Sequence, residues 1–111
     1  MNSMMKKTDW SGVSRRAMTA TEIVAGLAKL EGWQLSGEGA TLAIEKCCVF
    51  SNYYQTMAFV NAVAFIAHVS DHHPDLTVSF NRCMVRYNTH DVGGISSSDF
   101  DCASAVDALL Q

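Results

Sequence analysis

One proline, Pro74, occurs in the whole sequence, so only there is the backbone denied both a helical continuation and an N–H donor. Charged residues are scarce at 17%, against 49% hydrophobic, which describes an ordinary globule and excludes a disordered or fibrous chain. The formal charge is −3 and no basic run extends beyond Lys6-Lys7 and Arg15-Arg16, which argues against nucleic-acid binding. No CxxC is present. Cys47, Cys48, Cys83 and Cys102 fit neither a zinc ribbon nor a redox motif, and buried free thiols in a reducing, cytoplasmic setting are the expectation. The apolar run Met57 to Ala67 is interrupted by Asn61 and is too short to cross a bilayer, so no membrane contact is expected. The N-terminal charges are followed by no apolar h-region, so a secretory signal is not expected. Gly93-Gly94 lacks the surrounding GxGxxG or GxxxxGK of a phosphate loop.

What is present suits one domain of 111 residues with a single core. Residues 1–18 have no periodicity and read as a flexible arm, with Trp10 packed on the domain surface, ahead of a domain at 19–111. Thr19-x-x-Glu22 is a capping-box spacing that starts a helix. Ile23, Leu27 and Leu30 form its apolar stripe, and Gly32 is placed to close it. A strand from Trp33 turns through Ser36–Gly39 into a return strand from Thr41 to Phe50, in which Lys46 is the misfit among inward-facing residues. Ser51 or Asn52 caps a second helix running to Val69 or Ser70, apolar over most of its circumference. Leu76, Val78 and Phe80, then Cys83, Val85 and Tyr87, alternate as a second hairpin turning at Asn81-Arg82. Ser96-x-x-Asp99 caps a last helix that continues through Leu109 and Leu110. The order α-β-β-α-β-β-α predicts an α+β two-layer sandwich, with three helices on one face of a four-stranded antiparallel sheet.

All four histidines fall between His68 and His90, at the ends of predicted elements. Imidazole exchanges protons near neutral pH, so such a cluster suits acid/base chemistry. Each also has an ordinary structural role: His68 on a helix face near its C-terminus, His72 as a helix cap, His90 closing a turn. One shared pocket accounts for the four together. His68 and His72 are four apart, a spacing that binds zinc on a helix, but the glutamate of HExxH is missing and a third ligand would have to come from His90 or Asp71. No metal is therefore assigned. Asp91 can fix the tautomer of a neighbouring imidazole, Thr89 offers a hydroxyl that β-propensity equally explains, and Asp99 is sufficiently accounted for as a cap. Trp33 reads as core or pocket wall.

The segments Asp71-His72-His73-Pro74-Asp75-Leu76, Phe80-Asn81-Arg82 and Thr89 to Ile95, followed by Asp99, resemble the pterin-4a-carbinolamine dehydratase family. The likeness extends from about Thr19 to Leu110. Leu76 stands where many relatives carry tryptophan, and His68 where some are acidic. The resemblance implies loss of water from a 4a-hydroxytetrahydropterin to give quinonoid dihydropterin, with no metal, nucleotide or redox cofactor. It implies His73 and His90 as the acid/base pair with His72 assisting, and Pro74, Thr89, Asp91, Asp99 and Trp33 around the pterin, Asp99 orienting a histidine. It further implies a homodimer or homotetramer serving an aromatic amino acid hydroxylase. The alternative is a binding protein of the same fold that acts as a dimerisation cofactor or regulatory partner, with the apolar second helix as its docking surface.

Overall fold

The computed structural model describes residues 16–111; the greater part of the expected arm, including Trp10, lies outside them. Helix α1 spans Ala20–Leu27 and starts as its capping residues dictate. The Thr19 N–H donates to Glu22 Oε1 at 2.9 Å, and Glu22 N–H donates to Thr19 Oγ1 at 3.2 Å. Arg16 grips the same glutamate with two N–H donors, at 2.9 and 2.7 Å. The helix ends earlier than Gly32 predicts. Lys29 and Leu30 bond three residues back, to Gly26 and Leu27, so the chain leaves α1 in tight turns. Gly32, at φ +86°, turns the backbone five residues after Leu27.

Strand β1 (Gln34–Ser36) pairs with β2 (Ala43–Val49), and a turn of 3₁₀ helix at Gly39–Thr41 lengthens the predicted hairpin loop, so the return strand begins at Ala43. Helix α2 spans Tyr53–Ser70, with Asn52 Oδ1 accepting from Gln55 N–H at 2.8 Å. Strands β3 (Asp75–Ser79) and β4 (Arg82–Tyr87) form the second hairpin, with Arg82 already paired to Ser79. Phe80 therefore sits in the turn, not the strand, stacked on Tyr53 with ring centroids 6.5 Å apart. Helix α3 covers Ser97–Ala108, capped by Ser96.

All four strands pair antiparallel in the order β1-β2-β4-β3. Register places Leu35, Ile44 and Tyr87 in one row, Lys46, Val85 and Leu76 in the next, and Cys48, Cys83 and Val78 in a third. These rows face the core, where the helices bring Ile23, Phe59, Val63, Cys102, Ala103 and Val106. The opposite face shows exposed Gln34, Cys47, Val49 and Thr77. The architecture is the predicted α+β sandwich. Helices α1 and α3 meet closely enough that a methyl at Gly26 would lie 2.7 Å from the Phe100 ring.

Lys46 is a misfit only in sequence. Its stem crosses the core edge and its ammonium donates to Asp107 at 2.9 Å, while Trp33 Nε1–H donates to the same oxygen at 3.0 Å. No disulfide joins the cysteines of the described residues; Cys48, Cys83 and Cys102 are buried and Cys47 is exposed. Burial pushes the Cys48 thiol up to about 11 and raises Cys83 as well, so both behave as core residues and not nucleophiles. Among the described residues no helix is long and apolar enough to cross a membrane.

Candidate active site

Helix α2 ends in a left-handed residue, Asp71 at φ 51° and ψ 40°. The N–H of Asp71 turns back to His68 and that of His72 to Ala67, so the terminal carbonyls are satisfied as in a Schellman ending. The helix ends at Ser70 as expected, so His72 lies beyond it and shares no helix face with His68. Residues 72–74 run on without helix or strand bonds into β3. The neighbouring imidazoles diverge: His72 turns inward, 7% exposed, and His73 stays in solvent.

The opposite wall comes from the end of β4. Thr89 and Gly94 exchange backbone bonds, Thr89 N–H to Gly94 O at 2.8 Å, and close a loop containing a single 3₁₀ turn, His90–Val92. Gly93 has φ +64°, which closes the turn and leaves His90 and Asp91 exposed at its apex. Between the two walls is a cleft of about 310 Å³ lined by Asp71, His72, His73, Asn88, Thr89, His90 and Asp91. That volume is at the lower end of small-molecule sites, ~300–1,000 Å³.

Behind the cleft lies a buried polar network. Asp99, fully buried, places Oδ1 2.5 Å from His72 Nε2, while its Oδ2 accepts from the Thr89 hydroxyl at 2.7 Å and from Ser96 N–H at 2.9 Å. The Thr89 and Ser96 hydroxyls are 2.6 Å apart. Asp99 is therefore both the cap of α3 and the anchor of His72. Tyr87 stacks on the His72 ring, centroids 5.8 Å apart and planes at 13°, and Trp33 lies behind Tyr87 at 6.2 Å. Burial, followed by the proximity of Cys102 and Asp99, raises the Tyr87 phenol above its ordinary range.

The structure brings His72, His73, His90, Thr89 and Asp91 to one cleft and sets Asp99 directly behind it. Pro74, half-buried, and Trp33, in the core, are outside its lining. His68 also stays on α2, away from the cleft walls. Among the described residues, no three His, Cys, Asp or Glu side chains converge as a metal site would need. Sequence reasoning missed Asn88, whose amide ties the cleft rim to the Leu42 and Ala40 carbonyls at 2.6 and 3.3 Å. It also passed over Ser96 and Tyr87, read only as a cap and a strand residue. Their part depends on tertiary contacts that no local pattern signals.

A family model described as pterin 4 alpha carbinolamine dehydratase matches residues 16–109. The chain belongs to this family. A curated relative from Paracidovorax citrulli, provisionally named as such a dehydratase, is 62% identical over 109 residues, covering 98% of this chain and 94% of the relative. One from Nitrosospira multiformis, named in the same provisional way, is 50% identical over 94 residues, covering 85% and 80%. Among solved structures, a transcriptional coactivator/pterin dehydratase from Brucella melitensis superposes with a TM-score of 0.81 at 27% identity, over 86% of this chain and all of that one. A pterin dehydratase-like protein identified as a RuBisCO assembly factor of the alpha-carboxysome shares the fold, with a TM-score of 0.62 at 22% identity over 71% and 89% of the two chains.

Proposed function

We propose that the protein removes water from a 4a-hydroxytetrahydropterin, with His73 and His90 as the acid/base pair. The observation that carries this reading is that both imidazoles are solvent-exposed at one polar cleft of suitable size, with the tethered His72 between them and the core. In the reaction one imidazolium delivers a proton to the departing 4a-hydroxyl while a neutral imidazole takes the proton from N5. The C4a–O bond breaks, a C4a=N5 double bond forms, and water leaves. Protons and electrons balance without a metal or redox cofactor. Asp91 and Asp71 are acceptors for the amino and ring N–H donors of a pterin, and Thr89 borders the same space. His72 assists from the buried side, oriented by Asp99. Pro74 holds the turn that presents His73, and Trp33 supports the Tyr87–His72 stack from the core.

In this reading the enzyme is cytoplasmic, recycles the cofactor of an aromatic amino acid hydroxylase, and works as a homodimer or homotetramer built through α2 or through the edge strands β1 and β3. Sedimentation showing only monomer at micromolar concentration would defeat the assembly part of the reading.

One observation favours a second reading, a binding or regulatory partner of the same fold: α2 leaves Tyr54 84% exposed and Tyr53 and Phe65 open to solvent. The deciding experiment follows the ultraviolet absorbance of freshly generated 4a-hydroxytetrahydropterin with wild type, His73→Ala and His90→Ala. Acceleration by wild type that falls by ~10²-fold or more in the variants supports the dehydratase, in keeping with the usual value of acid/base catalysis. Folded wild type that fails to accelerate the decay leaves the partner reading.

A further inference from the structure

We propose that Thr89 and Ser96 are positioning residues: their two hydroxyls form a one-way hydrogen-bond chain into Asp99 that leaves Nδ1 as the working nitrogen of His72. The inference deepens the dehydratase reading and rests on it for its catalytic consequence.

The direction of each bond follows from counting hydrogens. A carboxylate only accepts, and Asp99 Oδ2 already takes two donors, the Thr89 hydroxyl and the Ser96 N–H. Thr89 has one hydroxyl hydrogen, and it is directed to Asp99 Oδ2 at 2.7 Å. The Ser96 hydroxyl, 2.6 Å from Thr89 Oγ1, must then be the donor of that contact. The chain runs from Ser96 to Thr89 to Asp99. With Oδ2 already holding the Thr89 hydroxyl and the Ser96 N–H, Oδ1 is left to face His72, and the ring must present Nε2–H to it. The neutral ring then has its lone pair on Nδ1 alone. Thr89, Ser96 and Asp99 are each 1% exposed or less, so water cannot substitute for a lost donor without entering the core. The stacked Tyr87 ring holds the imidazole plane, and Asp99 Oδ1, aimed at the ring by the hydroxyl chain, sets which nitrogen carries hydrogen.

This assignment separates the roles of the threonine hydroxyl and the pterin contact. Thr89 lines the cleft, but its Oγ1 is occupied on the buried side by Asp99 and Ser96. Its effect on catalysis therefore passes through His72.

The test is ¹⁵N NMR of the His72 ring at a pH where it is neutral, in wild type, Thr89→Val, Thr89→Ser and Ser96→Ala, with the rate of carbinolamine decay measured on the same samples. Wild type is expected to show hydrogen on Nε2 and a bare Nδ1. Thr89→Val, near in shape, is expected to give mixed tautomers and a rate lower by ~10–10²-fold, as small losses of orientation do. Thr89→Ser should restore both, and Ser96→Ala should fall between. A folded Thr89→Val or Ser96→Ala protein with the wild-type tautomer and rate would overturn the proposal, as would Nδ1–H in wild type. The spectrum is read without substrate, so a protein lacking dehydratase activity but showing the predicted tautomers would reject the catalytic reading and keep the hydrogen-bond chain.

Discussion

His72 and Asp99, 27 residues apart, meet through Nε2 and Oδ1 at 2.5 Å where the end of α2 passes the start of α3. The carboxylate has no solvent to fall back on, so each donor it holds depends on it. Asp99→Asn keeps the shape but supplies one acceptor oxygen in place of two. Turned toward His72, its amide nitrogen would meet the Nε2–H and force the ring proton to Nδ1; turned away, it would meet Thr89 and Ser96 N–H. The first orientation reverses the ring tautomer, and the second leaves the buried Ser96 N–H facing a donor. The expected loss is about 2 kcal/mol in urea unfolding, with a large fall in dehydration rate. A variant of unchanged stability would show that the buried pair contributes nothing net.

Tyr87 gives the opposite expectation. Its hydroxyl is buried and has no hydrogen-bond partner among the described residues. Removing a polar group already unsatisfied relieves its desolvation penalty and keeps the stack on His72. Tyr87→Phe should be neutral or stabilise by about 1 kcal/mol in the same urea experiment. Destabilisation by more than that would reveal a bond the hydroxyl makes in solution.

Helix starts were legible in sequence because capping is local: Thr19 with Glu22 and Ser96 with Asp99 are set by a spacing of three residues. The end of α1 was not, since Gly32 is a credible cap in sequence while the chain had already tightened into turns at Gly26 and Leu27. Strand parity gave the sheet faces, but not the first hairpin's longer loop or Phe80 in the second turn. Lys46 looked misplaced because its partner Asp107 is 61 residues away. The same limit governs the site. The histidine cluster beside Pro74 stands out in sequence, whereas the roles of Ser96, Asn88 and Tyr87 arise only when β4 is laid beside α2 and α3.

Acid should loosen the start of α1, whose lead-in residue Met18 donates its N–H to Ile95 O at 2.7 Å. Two Arg16 N–H donors, then the Thr19 N–H, hold the Glu22 carboxyl down to about 2 from its ordinary 4.5. A folded-state value below the unfolded one means that the contribution is complete above about pH 4.5 and is lost as pH falls toward about 2. Glu22→Gln can keep the capping geometry without the charge. Wild type should melt above this variant at pH 7, and the gap should close between pH 4.5 and 2. A gap constant across that range in thermal unfolding would remove the ion pair from the account.

Asp107 offers a way to separate charge from hydrogen bonding on the core edge. Its Oδ1 accepts from both Lys46 and Trp33, and the Trp33 ring is almost wholly buried, so loss of the acceptor strands an indole N–H beneath the protein surface. The Lys46 ammonium is partly exposed and can turn to water, which limits what the ion pair contributes. Asp107→Ala should therefore lose about 2 kcal/mol and Asp107→Asn, which keeps an oxygen for Trp33, about half of that in equilibrium unfolding. Lys46→Met should resemble the Asn variant, because the stem that packs along the core edge is retained. If Asp107→Asn were as damaging as Asp107→Ala, the ammonium and not the indole would be the partner that matters, and Lys46→Met would then have to show the same full loss.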